Sequence, residues 1–464
     1  MAAGDVLHID AAMPVSRKVE TLQWFLGERY FHASGMMYSH WHWGAGEPRP
    51  FRDEDLASQS VPHTSAGFSP AGYISGENSP WVSGLFLLSQ CLRYQVTGEE
   101  QALGYAARAF GSLDIIFRLA EDAGQPGLLC KPYDWALSYE TSPDQYVATM
   151  LGLWAYRALA GREARQRIDA LLPAMADWWR ERDYTIAYFE RRFRILDDAY
   201  HAPTMACLNA LAFQVTADRR YMEESRRLLT LAGPWATRLD LERARMLAEL
   251  RGELAAAQDI ATAQSNRDLG DAAYDPARAP FVVRNTENRA AMWMMAAAAD
   301  ALFQHELSLG GLLQQAVARY FDHCRFGLRE DLLSHYVVQV DLERNTWYPL
   351  VRPITPERRA WAARSGLSLF VAYDSEVCWA DAAARIADIA VIGHLRAPAL
   401  CPGALTLART LLARLDDRRL HWMIDLDGQQ LLPELRWMGE SLSSDAPVFA
   451  VLAYWRARAH GIEL

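Results

Sequence analysis

The sequence predicts an all-α fold, an (α/α)6 toroid of six helical hairpins with minor β-hairpin insertions. Three observations carry that expectation. Apolar residues recur near a 3.6-residue period through most of the chain. Six short polar segments, rich in carboxylates and amides, each precede an unusually apolar, Ala-rich stretch. Those apolar stretches alternate with more charged, amphipathic ones, as an inner ring of helices within an outer ring requires.

Taken in order, residues 16–31 read as a helix that closes the outer ring beside the last inner helix. The first inner helix opens at Trp81. Val82, Leu85, Phe86, Leu88, Leu92 and Val96 fall on the helical period, Gly98 interrupts it, and the pattern resumes over 99–119. Further helices are expected at about 144–159, 165–179, 203–215, 221–231, 239–263, 287–307, 311–324, 377–392, 403–415 and 446–459. The β signal is sparse: 335–340 alternates weakly, and 421–424 with 430–432 flank Asp427-Gly428, a hairpin turn pair. An internal repeat supports the hairpin reading. Tyr94-Gln95-Val96-Thr97-Gly98-Glu99 is matched by Phe213-Gln214-Val215-Thr216-Ala217-Asp218, with Arg108 and Arg227 in register downstream. A helix, a short turn, then Thr and an acidic residue before the next helix is a helical-hairpin signature. The whole of 1–464 then reads as one toroid domain.

The six polar segments are residues 76–80, 140–145, 197–201, 284–289, 374–376 and 439–445. If every inner helix runs the same way, they meet at one mouth. Ser142, Asp197 and Ser444 are also residue types that cap helices. Capping alone does not account for Glu, Asn, His and Arg gathering in the same segments.

Composition limits the function classes. At 51% hydrophobic and 22% charged residues the chain can form a large core, which excludes a disordered protein. A net charge of -10 disfavours a non-specific nucleic-acid binder, which needs a basic face to displace counterions. The richest apolar run, 290–303, is bounded by Arg289 and broken by Asp300, so no membrane span is expected. Residues 1–14 carry no basic, then apolar, leader pattern; no signal peptide is read, and a cytoplasmic location is the expectation. The six cysteines are far apart and form no CxxC pair, which signals neither a zinc site nor a disulfide framework. Asp197-Asp198 lacks a third acid where a helical metal-binding motif needs one, position 201 being His, and no phosphate-binding loop occurs. No metal or cofactor is therefore expected. Sixteen Trp and nineteen Tyr can build a core or sugar platforms.

Residues 81–119, the helix opening Ser142-Pro143-Asp144-Gln145-Tyr146, and the stretch from Gly439-Glu440-Ser441 to Tyr454-Trp455 resemble the six-hairpin glycosidase superfamily. That group includes unsaturated uronyl hydrolases and several toroid polysaccharide lyases. The resemblance is an architectural pattern over most of the chain, and it matches no catalytic signature of one subfamily. It implies a sugar-binding funnel at the inner-helix mouth and an oligosaccharide partner, uronate-containing sugars included, and it leaves the reaction open.

Glycoside hydrolysis needs two carboxyls across a sugar, one protonated and one ionised. Asp144 is the first candidate, at an inner helix start where Gln145 and Tyr146 can hold it; its other reading is an acidic residue favoured by the helix dipole. Asp198 is the second, with Asp197 its neighbour; their other reading is a capping pair. Glu77, Glu140 and Glu440 stand in reserve as catalysts or sugar-hydroxyl contacts, with Asn78 beside them. Elimination instead needs a base, an acid and groups that neutralise a uronate. Tyr200-His201 and Tyr146 could supply the first two, and Asn288, Arg289 and Arg284 the last. Carboxylates dominate the six segments, which favours the hydrolase.

In residues 38–44, His40 and His42 have strand-like spacing, with Trp41 and Trp43 on the other side. Two ligands without a third do not make a zinc site. A loop over the mouth, with Trp41, Trp43 or Trp81 as a sugar platform, is the functional expectation. A non-catalytic helical scaffold is the remaining class. Irregular repeat lengths and the long insertion over 233–280 argue against it.

Overall fold

The structure is a computed structural model that describes residues 7–44, 46–59, 61, 67–189, 191–197, 201–231, 281–303, 310–335, 337–341, 346–349, 377–379, 382–425 and 433–464. Twelve long helices are found among the described residues. They are α1 (Val15–Glu28), α2 (Ser79–Thr97), α3 (Glu100–Asp122), α4 (Pro143–Arg157), α5 (Arg162–Glu181) and α6 (His201–Thr216). The rest are α7 (Arg219–Leu231), α8 (Asn285–Phe303), α9 (Gly310–Cys324), α10 (Ala382–Arg396), α11 (Ala404–Ala413) and α12 (Asp445–Ala459). The even-numbered helices form a closed inner ring: α2 packs on α4, α4 on α6, α6 on α8, α8 on α10, α10 on α12, and α12 back on α2. Each also packs on an odd-numbered outer helix, with α1 against α12. This is the expected (α/α)6 toroid.

Sequence chemistry explains the two rings. In α2, α4, α6 and α12 nearly the whole circumference is buried, as suits helices enclosed by neighbours on all sides. In α7 only Tyr221, Ser225, Leu228 and Leu229 are buried, a single inward stripe. Pro80 and Pro143 sit in the first turns of α2 and α4, where the missing N–H costs nothing. No described helix is long and apolar enough to cross a membrane.

The repeat holds in atomic detail. Gly98 (φ 66) and Ala217 (φ 57) both take the left-handed conformation that ends a helix, and their N–H groups donate to Tyr94 O and Phe213 O at 2.8 Å. Thr97 and Thr216 each donate back to the carbonyl four residues earlier and accept the N–H two residues on. Arg108 and Arg227 differ: Arg108 reaches Gly27 O, and Arg227 pairs with Glu224.

Between α2 and α4 the backbones touch. A Cβ on Gly84 would lie 2.4 Å from the carbonyl carbon of Ala148, and one on Gly152 would lie 2.5 Å from Gly84 O. Gly84→Ala is expected to cost about 1–3 kcal/mol through this overpacking. Thermal denaturation checks it, and an unchanged midpoint would contradict the close crossing.

α1 is fixed to the ring's end by polar contacts as well as packing. Lys18 Nζ donates to Ala11 O at 3.1 Å, Ala413 O at 2.5 Å and Leu415 O at 2.8 Å, and Trp455 Nε1 donates to Gln23 Oε1 at 2.9 Å. Inside the ring, α8, α10 and α12 share a buried ion network. Arg456 bridges Asp388 and Asp300, Arg396 also meets Asp300, and Trp293 Nε1 donates to Asp388.

The strands are more numerous than the sequence suggested. β1 (His40–His42) pairs with β2 (Arg49–Pro50) and with β11 (Ser441–Ser443). β3 (Thr185–Tyr188) and β4 (Arg191–Arg194) make a hairpin. β5 (Phe281–Arg284), β7 (Val337–Asp341) and β8 (Thr346–Pro349) form a sheet, as do β6 (Ser334–His335), β9 (Val377–Trp379) and β10 (Met423–Asp425). The alternating 335–340 segment is thus β6 and β7, and 421–424 contributes β10. The helix expected from 377 begins at Ala382, because Val377, Cys378 and Trp379 pair with β10 and β6. The expected helix at 239–263, the turn at Asp427-Gly428, the strand at 430–432 and the segment 374–376 lie outside the described residues.

Candidate active site

α2, α4, α10 and α12 bring their N-termini to one mouth, and side chains link them there. Gln145, fully buried at the start of α4, has an amide that uses both ends: Oε1 accepts the Trp81 N–H at 2.9 Å, and Nε2 donates to Asn78 Oδ1 at 2.9 Å and Asp144 Oδ2 at 2.8 Å. Trp81 Nε1 donates to Asp445 Oδ1 at 2.9 Å, at the start of α12, and Arg385 of α10 pairs with the other Asp445 oxygen. The segments do more than cap helices. Ser142 and Ser444 occupy N-cap positions, yet neither side chain accepts a helix N–H.

Glu77 is the most densely held carboxylate of the mouth. It accepts Lys131 Nζ at 2.5 Å, Tyr133 OH at 2.6 Å and Tyr188 OH at 3.1 Å. Burial alone would raise its pKa. The Lys131 charge and the three hydrogen bonds outweigh burial and hold Glu77 below its ordinary value. Burial would likewise lower the Lys131 ammonium, but Glu77 and Asp144 hold it above its usual range. The backbone around both tyrosines is unusual. Tyr133 precedes Asp134 (φ 51) and Trp135 (φ 61), and Tyr188 precedes Phe189 (φ 52). Non-glycine residues in that region cost free energy and cluster where a site demands a geometry. Tyr73 and Tyr133 stack with ring centroids 4.9 Å apart and wall one side.

Glu140 lies beside this cluster in a different environment. Its Oε2 accepts the Phe189 N–H at 2.7 Å, and its carbonyl accepts the Lys131 N–H at 2.8 Å. Burial raises its pKa, Glu77 raises it further, and the Phe189 N–H and Lys131 offset only part of that. Tyr139, the residue before it, is 64% exposed.

Several residues expected at the mouth are engaged elsewhere. Trp41 is buried in the core against Phe25, Tyr30 and Tyr38, so neither ring face is open to a sugar. Trp81 is only 3% exposed and packs edge-on against Trp293. Trp43 is partly buried and stacks on His421 at 5.0 Å. Tyr146 is committed to the backbone: its hydroxyl accepts the Leu129 N–H at 2.9 Å and donates to Gly127 O at 3.0 Å. Arg289 is fully buried and donates to Cys324 O and Phe326 O at 2.9 Å, which ties α8 to the end of α9. Glu440 sits by β11, 3.5 Å from both His42 and Arg436. His201 is buried at the start of α6, and burial pushes its pKa down to about 3. His40 does not converge with His42; its Nδ1 lies 3.0 Å from Ser441 Oγ. Asp198 and the side chain of Asn288 lie outside the described residues.

The sequence reading places Asp445 in a mouth segment without giving it a role, and it does not single out Lys131, Tyr133, Tyr188 or Arg385. One signal was present for Lys131. The chain has 45 Arg and only two Lys, Lys18 and Lys131. Where Arg serves almost every cationic position, a retained Lys marks a place that needs a compact charge rather than a planar fork. Both lysines are indeed buried and fully engaged.

No family model matches the sequence, and no curated protein does. Among solved structures, the chain is similar to an inactive variant of the alpha-1,6-mannanase GH76A of Salegentibacter sp. HEL1_6 in complex with alpha-1,6-mannotriose. The alignment covers 96% of this chain and 98% of the other, at 10% identity and a TM-score of 0.41.

Proposed function

We propose that this chain is a glycoside hydrolase acting on oligosaccharides, with residues 1–464 forming one catalytic toroid. The observation that carries the reading is the gathering of carboxyls around the starts of α2 and α4: Asp144, joined through Gln145 to Asn78 and Trp81, and Glu140, whose proton affinity burial raises, beside Glu77. Acid/base cleavage of a glycosidic bond uses two carboxyls at one site, the acid being the one whose proton affinity is raised. Asp144 is the base of the reaction. It stands partly buried in the first turn of α4, where the helix dipole favours an anion, with Gln145 fixing one oxygen. The second carboxyl comes from Glu140 or from Asp198. Elimination is the weaker reading, because Tyr146 is spent on two backbone groups and His201 is buried.

The test is a panel of neutral, amino and uronate-containing oligosaccharides, read for new reducing ends and for absorbance of a new C=C bond. Reducing ends without that absorbance are expected. Unsaturated products would replace hydrolysis by elimination, and no product from any sugar would remove the enzymatic reading.

A further inference from the structure

Resting on that reading, we propose that Glu140 is the proton donor of this mouth and that the buried Lys131–Glu77 pair is the device that positions and tunes it. The geometry is a closed circuit of hydrogen bonds. The Lys131 N–H holds the Glu140 carbonyl, and the Lys131 ammonium holds Glu77. Glu77 holds the Tyr188 hydroxyl, and the next residue, Phe189, returns its N–H to the Glu140 carboxyl. Glu140 is therefore gripped by main chain and side chain through one cluster, and the left-handed turn at Phe189 is what aims that N–H. The carboxyl is held by one oxygen only. Among the described residues no protein group bonds Oε1, which is where an acid must present its proton.

The chemistry balances. The Glu140 proton passes to the glycosidic oxygen as the C1–O bond breaks, and its electron pair stays on that oxygen. A water oxygen bonds to C1, and Asp144 takes the proton that the water loses. The sugar bond and one water are consumed, and two hydroxyl-bearing products leave.

Lys131 and Glu77 act on Glu140 with opposite signs. The cation favours the Glu140 carboxylate and the anion favours the acid. A general acid sets the alkaline limb of the rate profile, where activity falls as the proton is lost. Glu77→Gln removes the anion and leaves the cation, so that limb should move to lower pH by about one unit. Lys131→Gln removes the cation, so the limb should move to higher pH by up to about one unit. A merely structural role would lower activity in both variants without moving the limb in opposite directions.

The experiment measures kcat/KM against pH for wild type, Glu77→Gln and Lys131→Gln on the best panel substrate, with Glu140→Gln alongside. Glu140→Gln should lose at least about 10²-fold on an oligosaccharide and recover most of that on an aryl glycoside whose leaving group needs no proton. Infrared difference spectroscopy supplies a readout independent of turnover: a carboxyl band that titrates together with the alkaline limb in the wild type should be absent from Glu140→Gln. Limbs that stay put or move together, or a Glu140→Gln enzyme with no leaving-group dependence, overturn the inference and leave the hydrolase reading standing. A wild-type protein that hydrolyses nothing on the panel overturns both.

Discussion

Asp144→Asn should leave the fold standing and lower turnover by at least about 10²-fold. Asn keeps the shape and still offers a carbonyl oxygen to the Gln145 amide, 2.8 Å away, so the link from Gln145 to Asn78 and Trp81 survives. Stability should change by about 1 kcal/mol or less, the scale of a helix-terminal polar substitution. What is lost is the ability to carry a negative charge or take a proton. Steady-state kinetics alongside thermal denaturation separate the two effects. Asp198→Asn should behave in the same way if Asp198 supplies the second carboxyl, whereas the elimination reading makes His201→Ala the silent enzyme and spares Asp144→Asn. Near-wild-type hydrolysis by Asp144→Asn would remove Asp144 and leave Asp198 with Glu140 as the pair.

The largest effect on stability is expected at Arg456, remote from the mouth chemistry. Its Nε donates to Asp388 Oδ1 at 2.8 Å, its Nη2 to Asp388 Oδ2 at 3.2 Å, and its Nη1 to Asp300 Oδ2 at 2.9 Å. Burial would lower the Arg456 pKa, but Asp388 and Asp300 more than reverse that. Asp388 is fully buried and, among the described residues, keeps only Trp293 Nε1 once Arg456 is gone, while Asp300 retains Arg396. Arg456→Met should therefore cost about 3–5 kcal/mol, because removing one partner of a buried pair strands a charge. Urea unfolding measures it. Adding Asp388→Asn should restore part of the loss, since the stranded charge goes with it. A loss below about 1 kcal/mol would mean that the network contributes little to holding α8, α10 and α12 together.

What the sequence revealed follows from periodicity. An inner helix such as α12 is buried around nearly its whole circumference, an outer helix such as α7 on one stripe only, and that contrast is visible without coordinates. Strands of two to five residues carry too little period to read. β1 and β11 come from opposite ends of the chain, so their pairing leaves no local trace. The mouth was legible where it coincides with helix starts: Asn78, Asp144 and Gln145 mark boundaries, and the fold joins them by hydrogen bonds. Lys131 sits in a loop, Tyr133 in a single 3-10 turn and Tyr188 in a hairpin, where no long-helix boundary points to them. Trp41, Tyr146 and Arg289 have the residue types a sugar site uses, but composition does not reveal which way a side chain points. Tyr146 turns toward the 127–129 loop, Arg289 toward the end of α9, and Trp41 into the core.

The proposed reaction is cleavage of a glycosidic bond by water, carried out by carboxyls at this mouth. Digestion of the best panel substrate in ¹⁸O-water, followed by mass spectrometry of the products, tests it most directly. The expected result is one ¹⁸O at the newly formed reducing end beyond the exchange seen without enzyme, a mass gain equal to one water across the two products, and labelling at least about 10²-fold slower with Asp144→Asn. An unlabelled, unsaturated product whose two halves sum to the mass of the substrate would contradict it.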